Sequence, residues 1–261
     1  MGKIIAVTNQ KGGVGKTTSS INIAASLAAT KRKVLLVDLD PQGNASSGCG
    51  IEKDDLEHHI LDVLLGEATA KECLINAEQA GFYVLPANSD LASAEAHLLT
   101  TDNKENLLKL ALADLKEEFD YIFIDCPPSL SILTVNALVA ADSVMIPMQC
   151  EYYALEGLKA LLSTVEQITE HVNPNLHIEG LLRTMYDPRN RLAVEVSNQL
   201  HEHFGEKVYR TAIPRNVRLA EAPSYGMPAL MYDRLSRGAK AYLSLAGEMI
   251  RRQDIANEAS H

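Results

Sequence analysis

Near its start the chain commits itself to one local architecture. The apolar, β-branched run Lys3-Ile4-Ile5-Ala6-Val7-Thr8 stops at Asn9-Gln10-Lys11-Gly12-Gly13-Val14-Gly15-Lys16-Thr17-Thr18, and a helical pattern follows from Thr17 to Thr30. Strand, glycine-rich turn and helix in that order make an anion cradle, because the turn and the first helical residues present unpaired N–H groups at the positive end of the helix dipole. Glycine is required where a side chain would hold the backbone away from the anion. In such a loop Lys16 reaches the outer phosphates of a nucleotide and the Thr17 hydroxyl holds Mg²⁺, with Gly12, Gly13, Val14, Gly15 and Thr18 completing the cradle. The common pattern has a glycine five residues before Gly15, where this chain has Gln10, followed by Lys11. A second lysine so close to the phosphates has no evident use inside one subunit.

Short β-rich runs alternate with helical patterns along the rest of the chain, which predicts an α/β fold with a mostly parallel, twisted sheet flanked by helices on both faces. Strands are expected at 3–8, 33–37, 82–85, 121–124, 143–147, 177–184 and 207–213, and helices at 17–30, 103–118, 132–140, 156–171, 192–204 and 236–252. No linker, repeat or low-complexity stretch interrupts residues 1–261, so one domain is expected, its site at the carboxyl edge of the sheet.

Two further apolar runs end in carboxylates. Val34-Leu35-Leu36-Val37 leads into Asp38-Leu39-Asp40-Pro41-Gln42-Gly43-Asn44, and Tyr121-Ile122-Phe123-Ile124 leads into Asp125-Cys126-Pro127-Pro128-Ser129. The second reads as a Walker B strand whose Asp125 holds Mg²⁺ through its water shell.

Lys11-Gly-Gly-Val-Gly-Lys-Thr-Thr18 resembles the deviant Walker A motif of the ParA/MinD ATPases, and nearly the whole chain is similar to their small chromosome-partitioning (ParA/Soj) type. The resemblance implies a P-loop NTPase that uses ATP and Mg²⁺. It implies that Lys11 reaches across a two-fold interface to phosphates in the other subunit of an ATP-sandwich homodimer. It makes Asp40 the residue that positions the attacking water, so that Lys11, Lys16 and Asp40 form the catalytic set. In Ala212-Ile213-Pro214-Arg215-Asn216-Val217-Arg218 it sets the Pro214 backbone and the Asn216 side chain against adenine, with Met185 lining the same pocket.

Charge is distributed unevenly. The net charge is -10, but residues up to Leu182 carry 12 basic against 25 acidic side chains, whereas the remainder carries 12 against 9 and holds 10 of the 11 arginines. That asymmetry predicts a surface within 183–252 that meets an anion. No zinc-finger or basic-zipper spacing organises it. The resemblance implies non-specific binding of double-stranded DNA, with Arg189, Arg191 and Arg218 as the best candidates and Arg251 and Arg252 behind them. It further implies a ParB-type centromere-binding partner whose short basic segment accelerates hydrolysis, and the acidic first part of the chain offers that segment a target.

Cys49, Cys73, Cys126 and Cys150 have neither metal-ligand nor paired spacing. A disulfide framework is therefore not expected, nor is a cluster-binding redox protein on the same scaffold. No signal peptide or membrane-spanning run is apparent, which predicts a cytoplasmic, nucleoid-associated protein. The last helical pattern has its apolar residues at docking spacing and runs into an acidic tail, unlike a basic membrane helix. A small-molecule ligase and a binding module without turnover are the other readings of the same loop.

Overall fold

A computed structural model describes residues 2–259. Its strands are β1 (Lys3–Val7), β2 (Val34–Asp38), β3 (Ile75–Ala77), β4 (Phe82–Leu85), β5 (Tyr121–Asp125), β6 (Ser143–Gln149) and β7 (His177–Thr184). They form one sheet in the order β3-β4-β2-β5-β1-β6-β7, parallel except for the edge pair β3–β4. The helices are α1 (Lys16–Ala28), α2 (Asn44–Gly48), α3 (Ile60–Leu65), α4 (Asp90–Leu98), α5 (Leu107–Leu112) and α6 (Ile132–Ala140), then α7 (Ala154–His171), α8 (Arg191–Phe204), α9 (Val217–Glu221), α10 (Ala229–Tyr232) and α11 (Arg237–Ala259).

The central strands are apolar along their whole length because both faces are covered. Alternation sorts their side chains: Ile4, Ala6, Ile122 and Ile124 join a core with Leu133, Leu158 and Leu161, while Ile5, Val7, Leu36 and Phe123 join another with Ile23, Leu27, Tyr242 and Leu245. α1 therefore covers one face, with α11, and α6, α7 and α8 cover the other. The chain leaves β1 through α1 and leaves β5 through α6, so neighbouring connections diverge to opposite faces. The crevice this opens lies at the carboxyl ends of β1 and β5. Along α11 the buried positions Ala239, Tyr242, Ala246 and Met249 recur at helical spacing, and the Tyr242 hydroxyl lies 2.9 Å from Ser19 Oγ of α1. The apolar face of this helix is thus packed inside the domain.

The expected strand at 207–213 is not a strand. Only Val208 bridges Leu181 and, further on, Pro214 bridges Tyr186. Between those points side chains take the backbone groups: the buried Arg183 guanidinium donates to the carbonyls of Tyr209 and Arg210, each at 2.9 Å, and Glu248 accepts from the N–H groups of Arg210 and Thr211 at 2.8 and 2.9 Å. The Tyr209 and Ile213 N–H groups donate to the Leu181 and Arg183 carbonyls at 3.0 and 2.8 Å, two separate pairings rather than a continuous ladder. The helix expected over 103–118 is also shorter. Asn103 has φ 56°, Asn136 takes the Lys104 carbonyl at 2.7 Å and the Leu108 N–H at 3.1 Å, and a 3₁₀ turn at Leu115–Glu117 follows α5.

Candidate functional site

The glycine turn, Lys16, Thr17 and Asp125 lie together at the carboxyl edge beside β1. α1 begins at Lys16 behind Gly15, which has φ 86° and offers no side-chain cap, and no acidic residue occupies the first turn. The first-turn amides are therefore left for an anion. Lys16 is only 7% exposed, and its ammonium makes one long contact, 3.4 Å, to the Lys11 carbonyl. Burial lowers its pKa, opposed by the nearby carboxylates of Asp125 and Asp40. A desolvated cation with so little compensation inside its own chain suits a bound polyanion.

Asp125 closes β5 in register with Val7 of β1 and Asp38 of β2. Its two oxygens accept from Thr17 Oγ1 at 2.7 Å and Ser20 Oγ at 2.8 Å. Burial, and then the neighbouring Asp38, push its carboxyl up to about 7 against the lowering effect of those hydroxyls. Asp38 is likewise pushed by burial to about 6. It organises the next loop, accepting from the Ser46 N–H and hydroxyl, both at 2.8 Å, and from the Asp40 N–H at 3.2 Å. Asp40, also 7% exposed, accepts the Gln42 N–H at 2.9 Å through Oδ1.

Lys11 lies apart from this cluster. Its ammonium sits 2.5 Å from Glu151, and both side chains are about half exposed.

Residues distant in sequence close the other side of the loop. A cavity of about 180 Å³ is lined by Gly15 and Thr18 together with Met185, Pro214, Asn216, Leu219 and Tyr242. The Asn216 Oδ1 caps α9 at the Arg218 N–H, 3.2 Å, so its amide N–H₂ is the end left for a ligand. Met185 has φ 49°, unusual for a non-glycine residue. A larger cleft of about 450 Å³ lies at the opposite edge of the sheet among Arg32, Lys33, Asp120 and Tyr121. Its mixed charges and lack of a glycine turn give it nothing suited to a nucleotide.

The arginines separate into classes. Arg189 and Arg191 are 89% and 93% exposed and pair with Asp187 and Glu195, while Arg218 pairs with Glu221 at 2.8 Å and Asp233 at 3.3 Å. Arg251 is exposed. Arg252 stacks 4.2 Å from the Tyr209 ring centre and donates to the Val208 carbonyl and to Glu248. It therefore braces the 208–211 segment while remaining partly exposed.

Ser20, Gln149, Glu151 and Thr184 went unnoticed in the sequence. Ser20 stands one turn beyond Thr17 on the same helix face, a signal the sequence carries. Gln149 and Thr184 end β6 and β7 as polar residues closing apolar strands, as Asp38 and Asp125 do.

The chain matches the AAA domain family (AAA_31) over residues 2–178. It is 55% identical to the sporulation initiation inhibitor protein Soj of Bacillus subtilis over 95% of this chain and 98% of that one. It is 50% identical to the chromosome partitioning protein ParA of Myxococcus xanthus over 97% and 89%. A solved structure of cobyrinic acid a,c-diamide synthase from Mycobacterium smegmatis, with bound ATP analogue and magnesium, superposes with a TM-score of 0.85 at 38% identity, covering 97% of this chain and 96% of that one.

Proposed function

The chain belongs to the Soj/ParA family of chromosome-partitioning ATPases, and on that premise we propose that it is a Mg²⁺-dependent ATPase working as an ATP-bound dimer. In that state it binds double-stranded DNA of any sequence, and it leaves the DNA when a ParB-type partner accelerates hydrolysis. Repeated binding and release on the nucleoid then serves segregation. The observation that carries this reading is the meeting, at one sheet edge, of the uncapped start of α1, buried Lys16, the Thr17–Asp125 pair and Asp40.

These residues fit ATP and Mg²⁺. Among the described residues no group of three or more His, Cys, Asp or Glu side chains could hold a metal ion. Thr17 and Asp125 would thus hold Mg²⁺ together with phosphate oxygens and water, as this hard cation prefers. When bound, it offsets charge on the transferring phosphoryl group. Asp40 uses one oxygen on Gln42, and its other oxygen is an acceptor for the attacking water.

Several features favour a dimer. Lys11 directs its charge onto Glu151 rather than into its own loop, and two exposed aromatic side chains, Tyr152 and Tyr153 at 74% and 69%, follow Glu151 in the chain. A Cβ at Gly12 would meet nothing within 4 Å among the described residues. Gly12→Val should therefore fold and bind ATP, yet weaken ATP-dependent dimerisation by about tenfold or more, because the added side chain stands where a second loop approaches. Analytical ultracentrifugation with ATP checks this, and an unimpaired dimer would remove Gly12 from the interface.

For DNA the reading rests on Arg189, Arg191 and Arg218, with Arg251. Each phosphate neutralised contributes about 0.9 to the slope of log affinity against log salt. Arg218→Ala should weaken binding to all sequences alike and reduce the slope by about 2, one contact per subunit. It also leaves Glu221 and Asp233 uncompensated, so repulsion adds to the loss. ATP affinity must be measured in the same variant, since Asn216 caps the Arg218 N–H. If DNA binding falls only in step with ATP affinity, Arg218 belongs to the nucleotide pocket; an unchanged salt slope moves the patch elsewhere.

Phosphate release with and without DNA and the partner tests the whole reading, which expects stimulation when both are present. A small-molecule amidating enzyme is the second reading, favoured by the similarity to the cobyrinic acid a,c-diamide synthase. Turnover stimulated by that acid and indifferent to DNA would establish it.

A further inference from the structure

An anion cradle works only if its peptide N–H groups point inward, and in a glycine-rich loop little in the local backbone enforces that. Gly13 has φ 71° and Gly15 φ 86°, a region from which glycine rotates at small cost. Turning one peptide unit over would aim a carbonyl oxygen at the phosphates instead. Because a peptide is planar and trans, fixing its C=O on one side fixes its N–H on the other.

Two side chains from strand ends hold carbonyls of this loop on its outer side. Thr184 Oγ1, closing β7, donates to the Val14 carbonyl at 2.7 Å in a buried contact. Gln149 Nε2, closing β6, donates to the Gly13 carbonyl at 3.1 Å. The first bond directs the Gly15 N–H inward and the second directs the Val14 N–H inward. Gln149 also lies 2.9 Å from Met185 Sδ, and a Cβ at Gly15 would approach both Thr184 and Met185, at 3.8 and 4.0 Å. The same clamp thus ties the phosphate loop to the wall of the 180 Å³ cavity.

We infer that Thr184 and Gln149 are positioning residues that preorganise the phosphate loop before any nucleotide arrives, by anchoring the Val14 and Gly13 carbonyls. The inference rests on reading this loop as the phosphate site. Loss of an anchor lowers the fraction of molecules whose loop is competent, and apparent affinity falls by that fraction.

The test uses inorganic pyrophosphate without Mg²⁺, followed by calorimetry, so that neither base nor metal contributes. Thr184→Val, nearly isosteric but without the donor, should bind pyrophosphate about five- to tenfold more weakly. Thr184→Ser should stay within about twofold of wild type, since it keeps the hydroxyl. Gln149→Leu, at a less buried site, should lose about threefold and serves if Thr184→Val does not fold. Wild-type affinity in the Val and Leu variants would overturn the inference, and so would a Ser variant as weak as the Val variant. Lys16→Ala is the control: if it too binds pyrophosphate normally, the phosphate-loop reading has failed rather than the role of the anchors alone.

Discussion

Lys16→Ala should lower ATP affinity at least about a hundredfold, the largest effect on nucleotide binding expected from any side chain of the site. Lys16 is buried, its pKa is already lowered by desolvation, and its only hydrogen bond among the described residues is the 3.4 Å contact to the Lys11 carbonyl. The polyphosphate supplies what that ammonium lacks, and truncating the side chain leaves negative phosphate oxygens beside the carboxylates of Asp125 and Asp40 without the buried cation that faces them. Removing one partner of a desolvated, hydrogen-bonded charge pair costs about 2–5 kcal/mol. The fold should survive, since relieving an uncompensated buried cation costs the empty protein little. Calorimetry or a fluorescent nucleotide reads the affinity directly. Near-wild-type binding in a folded Lys16→Ala protein would end the account of this loop.

Asp40→Ala should separate binding from turnover. The carboxylate lies on the loop that Asp38 organises through Ser46, within the cluster at the ends of β1, β2 and β5. It makes no hydrogen bond to the phosphate loop, so its loss should leave ATP affinity within a few-fold and dimerisation intact. What it removes is an acceptor for the water, an effect worth about 10²–10⁴ in rate. The variant should collect as an ATP-bound, DNA-bound dimer, seen as phosphate release near background with DNA binding retained. Ordinary turnover would take Asp40 out of the mechanism.

Lys16 is legible from the glycine-rich turn between a strand and a helix, whereas Asp40 follows an apolar run that stops at carboxylates and takes its role from the resemblance; in a parallel sheet such stops fall at one edge. Ile75–Ala77 escaped notice because a three-residue antiparallel edge strand has no period to read. The 207–213 segment reads as a strand by composition, yet the backbone groups at its centre, from the Tyr209 carbonyl to the Thr211 N–H, are taken by the side chains of Arg183 and Glu248, partners far away in sequence. Arginine counts mark a surface only on average: Arg183 is 7% exposed, and Arg252 is drawn inward over Tyr209. Met185, Pro214 and Asn216 carry no local signal of a pocket and were singled out by resemblance. Their side of the cavity and the Gly15–Thr18 side are brought together only by tertiary folding. Gln149 and Thr184 matter through loop carbonyls more than a hundred residues earlier, which no spacing rule reaches.

On the proposed reading, nucleotide state controls DNA binding by this chain through a dimer. The most direct measurement is anisotropy of a labelled random-sequence duplex, followed in one titration with ATP and Mg²⁺, in another with ADP and Mg²⁺, and in time as ATP is consumed. Binding should be strong with ATP, at least about tenfold weaker with ADP, and steep in salt, and the bound signal should decay in step with phosphate release. Equal DNA affinity with ATP, with ADP and without nucleotide would contradict the account.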